Sequence, residues 1–563
     1  LVRDVAVLNV YTGTVLPHRY IATAGPLIAL VTPEEVSPGP QTVVLDGRGK
    51  YAVPGFIDAH AHLDESTLVV PEYLRYSLPR GNTAFITESM EVTNALGHPG
   101  IIWFLDSCRE QPAHLFVLLS PMVPGHPEIL VGHRVSFEQV AELLRRPEVL
   151  GLGESYWTRV VHDQGELASL FYLAEELGKA VEGHGAGAKT AYLNALAASG
   201  VDSCHEAITP EEVEERLAAG IFTMLREGSI RRDLEALAPL ASRRLDFRLV
   251  GLCTDGVNPV DLLRLGTMDY AVQKAIEVGF DPVTAIQMAT INNATHFRLD
   301  RYLGSITPGR YADFLLLEDL RHIKPTAVVA KGRLVARDGE LLLPPKSYRF
   351  PEEARRLLNF SRRFSPEELK FAAPTGRGSV RVRVIHQRDD VVTEERFLDL
   401  EARNGELVLP PGVNKAVSVS TLDPSVWSLG LVSGWNLTAG ACATSATWDA
   451  PQISGVGATE EELARAANRV AELGGGVVVC EGGRIVAELP LPVGGTISHL
   501  PAEEVASRME SIILHLRRLG YPYPNPLLAL RVLGFVGVPR LRLTAKGLVT
   551  VGSRGSELVR LVV

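Results

Sequence analysis

Val53-Pro54-Gly55-Phe56-Ile57-Asp58-Ala59-His60-Ala61-His62 reads as a short apolar strand that ends in two histidines. Residues i and i+2 of a strand point to the same side. The imidazoles of His60 and His62 therefore face one way and suit a single metal ion. Pro54 lacks an amide donor and Gly55 permits a tight bend, which marks the strand's entry. Two strand histidines without a ligand role are the bland alternative, and the rest of the chain weighs against it.

The 563 residues are too many for one ordinary domain. A composition of 46% hydrophobic and 22% charged residues fits a folded globular protein. A net charge of −10 gives no basic footprint for nucleic acid and no polybasic membrane signal. No run of about eighteen uncharged apolar residues predicts a spanning helix. Leu1-Val2-Arg3-Asp4-Val5 reads as a strand and not as a secretion signal. The five cysteines (Cys108, Cys204, Cys253, Cys442, Cys480) are scattered without a C-x-x-C pair. That suits a reducing cytosol, so a cytoplasmic protein without a disulfide framework or zinc ribbon is expected.

Downstream of His62, apolar β runs alternate with amphipathic helical stretches. With the strand at Phe56, the runs Thr83 to Thr87, His114 to Leu119, Val149 to Gly153, Ala180 to Gly183, Val201 to Cys204, Ile221 to Leu225 and Leu249 to Thr254 make eight. Glu166 to Leu177 carries apolar residues at a spacing of three and four, and Pro210 to Ala219 follows Thr209 as an N-cap. Eight such units predict a (β/α)8 barrel over residues 58–301. The flanks, 1–57 and 302–345, read as β runs that together form a small β domain. Beyond Pro344-Pro345-Lys346, residues 346–563 read as an α+β C-terminal domain, with helices at Glu460 to Leu473 and Pro501 to Leu519. The fold class expected is thus α/β.

Barrel active sites sit at the C-terminal ends of the strands. Polar residues appear where the apolar runs stop: His60 and His62 after the first, Glu154 after the fourth, His184 after the fifth, His205 after the sixth and Asp255 after the eighth. Imidazoles and carboxylates suit Mn²⁺, Fe²⁺ or Zn²⁺. Six ligands exceed one tetrahedral zinc and fit two divalent ions about 3.5–4 Å apart, with Glu154 bridging. Singly, Asp255 reads equally as a helix cap and Glu154 as an ion-pair partner. Six such groups at five strand ends read as a metal site.

These motifs resemble the amidohydrolase superfamily and, within it, the bacterial adenine deaminase family. Pro54 to His62 is similar to the superfamily's first strand, and Leu150-Gly151-Leu152-Gly153-Glu154 to the family's L-G-L-G-E. Gly183-His184-Gly185-Ala186-Gly187 resembles G-H-A-P-G. Arg226-Glu227-Gly228-Ser229 matches R-E-G-S, Cys253-Thr254-Asp255 matches C-T-D, and Gly309 to Asp313 matches the P-G-x-x-A-D turn. Gly474 to Val479 and Ala487 to Pro492 are similar to the family's C-terminal domain. The resemblance implies hydrolytic deamination of adenine or a related aminated heterocycle by a metal-bound hydroxide. Asp255 would move the proton and Glu227 would bind a ring N–H. His184 or His205 would hold the second ion and polarise the substrate. Arg226, Glu91 and Trp448 would contact the substrate, with Asp64 and Glu91 orienting the histidines. The expected partner is a small molecule, with no nucleic acid and no membrane, and the expected assembly a homodimer.

Three segments depart from the family pattern. Its His-Asp-Ser-His-Asn reads Trp448-Asp449-Ala450-Pro451-Gln452 here, its D-P-H-E reads Glu88-Ser89-Met90-Glu91, and its C-T-D-D ends as Asp255-Gly256. Histidines are thus replaced by Met90, Trp448 and Pro451. An indole cannot act as a base and proline offers no polar side chain, so weak activity on adenine and better activity on another heterocycle are expected. Hydrolysis of a cyclic amide or another C–N bond is the alternative. A non-catalytic scaffold is the third reading. Loss of ligands would mark it, and none of the six is lost.

Overall fold

The computed structural model describes residues 1–563 apart from 164, 356–359, 374–377 and 553–554. The strand Tyr51–Pro54 lies in a nine-stranded sheet, between Val2–Asn9 and Phe314–Leu317. Phe314–Leu317 pairs antiparallel with it, Phe314 opposite Pro54 and Leu317 opposite Tyr51. Both flanks of the central barrel therefore contribute to one sheet. At Gly55 the chain leaves that sheet, its amide donating to Asp313 O at 2.9 Å. A methyl group on Gly55 would stand 2.2 Å from Thr83 Oγ1, so only glycine lets the two strands approach at this joint.

The next strand, Phe56–Ala61, opens the barrel. Five parallel strands follow one another in the order Ala180–His184, Val149–Tyr156, His114–Leu119, Asn82–Thr87, Phe56–Ala61, and three more in the order Ser203–Cys204, Phe222–Arg226, Val250–Cys253. The two sheets meet on both sides. Asp202 N donates to Val181 O at 2.8 Å, and Asp255 N to His60 O at 2.9 Å. The eight strands are the eight apolar runs of the sequence, with boundaries shifted by at most three residues, the largest shift being at Val149–Tyr156. The strands facing the core are buried along almost their whole length, as a parallel sheet covered by helices requires.

The intervening helices start where the sequence offers caps. Thr209 accepts a hydrogen bond from Glu212 N at 3.3 Å and opens Pro210–Ala218. Ser136 and Gln139 form a reciprocal capping box at Phe137–Leu144. Glu166–Glu176 turns Leu167, Leu170, Phe171 and Ala174 inward, as its spacing predicts.

The C-terminal part is built on a second nine-stranded sheet, largely antiparallel, with one parallel pair between Gly378–Gln387 and Trp427–Ser433. Helices Glu460–Glu472 and Ala502–Arg518 accompany it, followed by the three-stranded sheet Arg540–Thr544, Gly547–Gly552, Gly555–Val559. It rests on the barrel mouth. Ser498 N donates to Thr67 O at 2.9 Å, Ala502 N to Glu72 Oε1 at 3.0 Å, and Arg531 Nη1 to Glu65 O at 3.1 Å. One hydrophobic cluster runs from Phe85 and Leu119 in the barrel to Leu491 and Leu528 beyond it. No helix among the described residues is long and apolar enough to cross a membrane.

Candidate metal centre and substrate cavity

Barrel closure assembles the first half of the site. Asp255 donates its amide to His60 O, and His62 N donates to Asp255 O at 2.8 Å, so the last strand is stitched across both histidines of the first. Asp255 adopts φ 61°, a left-handed conformation that aspartate tolerates better than most residues. Its Oδ1 stands 3.3 Å from His62 Nε2 and 3.7 Å from His60 Nε2. Glu154, in the fourth strand, forms the hub. Its Oε1 lies 3.0 Å from His205 Nε2, 3.2 Å from His184 Nδ1, 3.6 Å from His60 Nε2 and 3.9 Å from His62 Nε2. A second carboxylate joins at the sixth strand: Glu206 Oε1 is 3.4 Å from His205 Nε2.

Three sets of donor atoms converge within 4.8 Å: His60, His62 and Asp255; His60, Glu154 and His205; His184, His205 and Glu206. Two ligand atoms each about 2.0–2.2 Å from one ion lie about 3.0–3.6 Å apart, and five of the seven separations given above fall in that range. Both ring nitrogens of His60 and the Nε2 atoms of His184 and His205 are buried and make no hydrogen bond. Imidazoles are rarely left so unless another partner takes them. The donor set fits divalent metal binding.

The electrostatics agree. Burial opposes ionisation of Glu154, yet His184 and His205 hold its carboxyl well below the usual range. Burial likewise works against Asp255, and His62 and Arg226 overcome it. Glu206 is held low by Arg226 and His184 against the same penalty. All three are therefore anionic, as ligands must be. Glu88 behaves oppositely: burial first and Glu154 second push its carboxyl well up. Its Oε1 accepts the Glu154 amide at 3.2 Å. A methyl group on Gly153 would stand 2.0 Å from its Oε2, which explains the glycine before Glu154.

The structure brings His60, His62, Glu154, His184, His205 and Asp255 together. It treats the other expected site residues differently. Arg226 lines the cavity, but its guanidinium is committed to Glu206, to Asp255 at 2.9 Å and to Asp233 at 3.1 Å. It anchors carboxylates and has little left for a substrate. Glu227, the next residue, turns away. Its Oε2 accepts the amide of Leu234 at 3.2 Å, and it does not line the cavity. Alternation along the strand accounts for this, since Arg226 takes the inward side. Asp64 accepts the Glu91 and Val92 amides at 2.9 and 3.2 Å, so it caps the helix Met90–Cys108 while its other oxygen stands 3.9 Å from His62 Nδ1. Glu91 lines the cavity and accepts the amide of Asp449 at 3.2 Å.

Sequence reasoning missed Glu206, Tyr156 and Asp449. Tyr156 OH donates to Asp449 Oδ1 at 2.7 Å and lies 3.1 Å from Met90 Sδ. Barrel and C-terminal part are thus joined beside the metal site, at the segments that depart from the family pattern. Glu206→Gln is expected to weaken metal affinity by about 10–100-fold, as loss of a supporting group does. Metal content after dialysis reads this out, and unchanged content would assign Glu206 to Arg226 alone.

A cavity of about 340 Å³ opens over this centre. Its floor includes His62, Glu154, His184, Glu206 and Asp255, and its far wall comes from the C-terminal part, including Val392, Trp448, Phe535 and Val538. Trp448 and Phe535 meet edge to face at 5.2 Å, and Tyr156 stands beside Phe535 at 6.1 Å. Flat aromatic faces of this kind suit a planar ring.

Residues 51–335 match the family model described as "Amidohydrolase family", and residues 390–554 the one described as "Adenine deaminase C-terminal domain". An adenine deaminase of Moorella thermoacetica is 34% identical, over 96% of this chain and 92% of that protein. One of Rubrobacter xylanophilus is 36% identical, over 100% of this chain and 95% of that protein. Among solved structures, a molinate hydrolase aligns over 59% of this chain and 94% of that chain, with 16% identity and a TM-score of 0.46.

Proposed function

The chain belongs to the adenine deaminase family of the amidohydrolases, and from that premise we propose that it hydrolyses adenine to hypoxanthine and ammonia. The observation that carries the reading is the full ligand set beneath an aromatic-walled cavity. We propose two divalent ions, of Mn²⁺, Fe²⁺ or Zn²⁺ character by ligand type. His60, His62 and Asp255 would hold one, and His184, His205 and Glu206 the other, with Glu154 between them.

Ions held by these residues would supply Lewis acidity and lower the pKa of a bound water. The protein's own residues do the rest. Asp255, kept anionic by His62 and Arg226, accepts the proton of the attacking water and returns it to the leaving nitrogen. Arg226 holds Asp255 and Glu206 at fixed positions through buried, charge-assisted hydrogen bonds. The aromatic wall stacks the ring and excludes bulk water.

The composition of that wall favours a second reading beside the first. Trp448 lines the cavity with an indole whose N–H is buried and unpaired. An apolar face there accepts flat heterocycles more broadly than a wall of histidines would. The experiment is ammonia release from adenine, N6-substituted purines, other amino-heterocycles and cyclic amides. A kcat/KM for adenine at or above about 10⁴ M⁻¹s⁻¹, the lower end of ordinary enzyme efficiency, supports adenine as the substrate. Turnover of only the other compounds would replace it. Trp448→His is expected to raise kcat/KM for adenine while lowering it for any broader substrate, and unchanged ratios would remove Trp448 from substrate selection. A two-fold homodimer, the commonest symmetric assembly, is proposed and is read by light scattering.

A further inference from the structure

Glu65 has no part in the chemistry above, yet it lines the cavity. It follows His62 by three residues, in the loop after the first barrel strand. It is 7% exposed. Among the described residues, no N–H or O–H donates to its carboxylate and no cation stands within ion-pair distance, the charges of His62 and Arg531 acting on it only from farther off. Buried carboxylates without donors are costly, and protein interiors normally supply them. Glu65 lines the cavity, so water or a ligand that enters it supplies the donor.

A glycine makes room for this carboxylate. A methyl group on Gly256 would stand 2.7 Å from Glu65 Oε1 and 2.7 Å from Ile230 Cδ1. Gly256 follows Asp255, at the position where the C-T-D-D pattern carries its second aspartate. The space in which that side chain would begin is occupied by the Glu65 carboxyl, delivered from the opposite end of the barrel sequence.

We propose that Glu65 is a substrate-recognition residue whose carboxylate accepts a hydrogen bond from the ring N–H of the purine's five-membered ring. The assignment rests on the adenine reading. Apart from its amino group, which must lie at the metal ligands, adenine carries a single N–H, and the other ring nitrogens are acceptors. A carboxylate at the rim can use only that donor. Glu65 and Gly256 then form a coupled pair: the acid at 65 requires the missing side chain at 256.

The test uses the metal-loaded protein and two probes, purine and 9-methylpurine. They differ in the donor and lack the reacting amino group. The wild type is expected to prefer purine. In Glu65→Ala that preference, measured as the ratio of Kd values, should fall by about tenfold or more, the size of a lost hydrogen bond to a charged group, with metal content unchanged. Glu65→Ala/Gly256→Asp should regain preference, because the acid returns from the neighbouring position, the clash with Glu65 is gone and only the end of the Ile230 side chain has to shift. An unchanged ratio in Glu65→Ala, or loss of metal from that variant, would overturn the assignment. The adenine reading fails separately, if the wild type releases no ammonia from adenine.

Discussion

Asp255→Asn lowers kcat for adenine by about two to four decades, the usual worth of a positioned acid–base group. The substitution keeps an oxygen toward His62 and keeps the shape of the side chain. It removes the charge that Arg226 Nη1 pairs with at 2.9 Å. The φ of 61° is accessible to asparagine, so the backbone is not disturbed. The loss should therefore appear in kcat, with the circular dichroism spectrum and most of the bound metal retained. Turnover within a factor of a few of the wild type would show that another group moves the proton.

Glu154→Gln should be harsher on the metal. The carboxylate faces four imidazoles through one oxygen, between 3.0 and 3.9 Å away. An amide of the same size keeps the packing but removes the only charge common to both ligand groups. Metal content is expected to fall by at least half and activity by two decades or more, on the order of what lost ligand support costs. The imidazoles left without an anion should also lower thermal stability in the metal-free form. Full occupancy of both positions in the purified variant would end the bridging role.

Much of this was written in the strand pattern. Apolar runs fix which residues are strands, and polar residues at their ends mark the rim, so the six side chains that converge there are legible in the sequence. Part of what escaped lies just past the strands, where alternation no longer applies. Glu206 neighbours His205 and on a continuous strand would face away, but the sixth strand stops at Cys204 and both side chains reach the centre. Glu227 failed for the converse reason. Arg226 is still on its strand and faces inward, which sends its neighbour to Leu234. Glu65 carried no signal at all, because a loop carboxylate is ordinarily solvated and only the glycine at 256 reveals where it goes. Asp449 and Tyr156 are 293 positions apart, and nothing local to either one foretells their hydrogen bond.

That hydrogen bond also bears on the order in which the protein is made. Every ligand-bearing strand end has left the ribosome by residue 255, whereas Trp448 and Asp449 come nearly two hundred residues later. At about 5–20 residues per second, the nascent chain carries its four histidines and three acids for roughly ten to forty seconds before a wall can cover them. Metal capture and closure of the cavity are thus separated in time by the position of one domain in the gene.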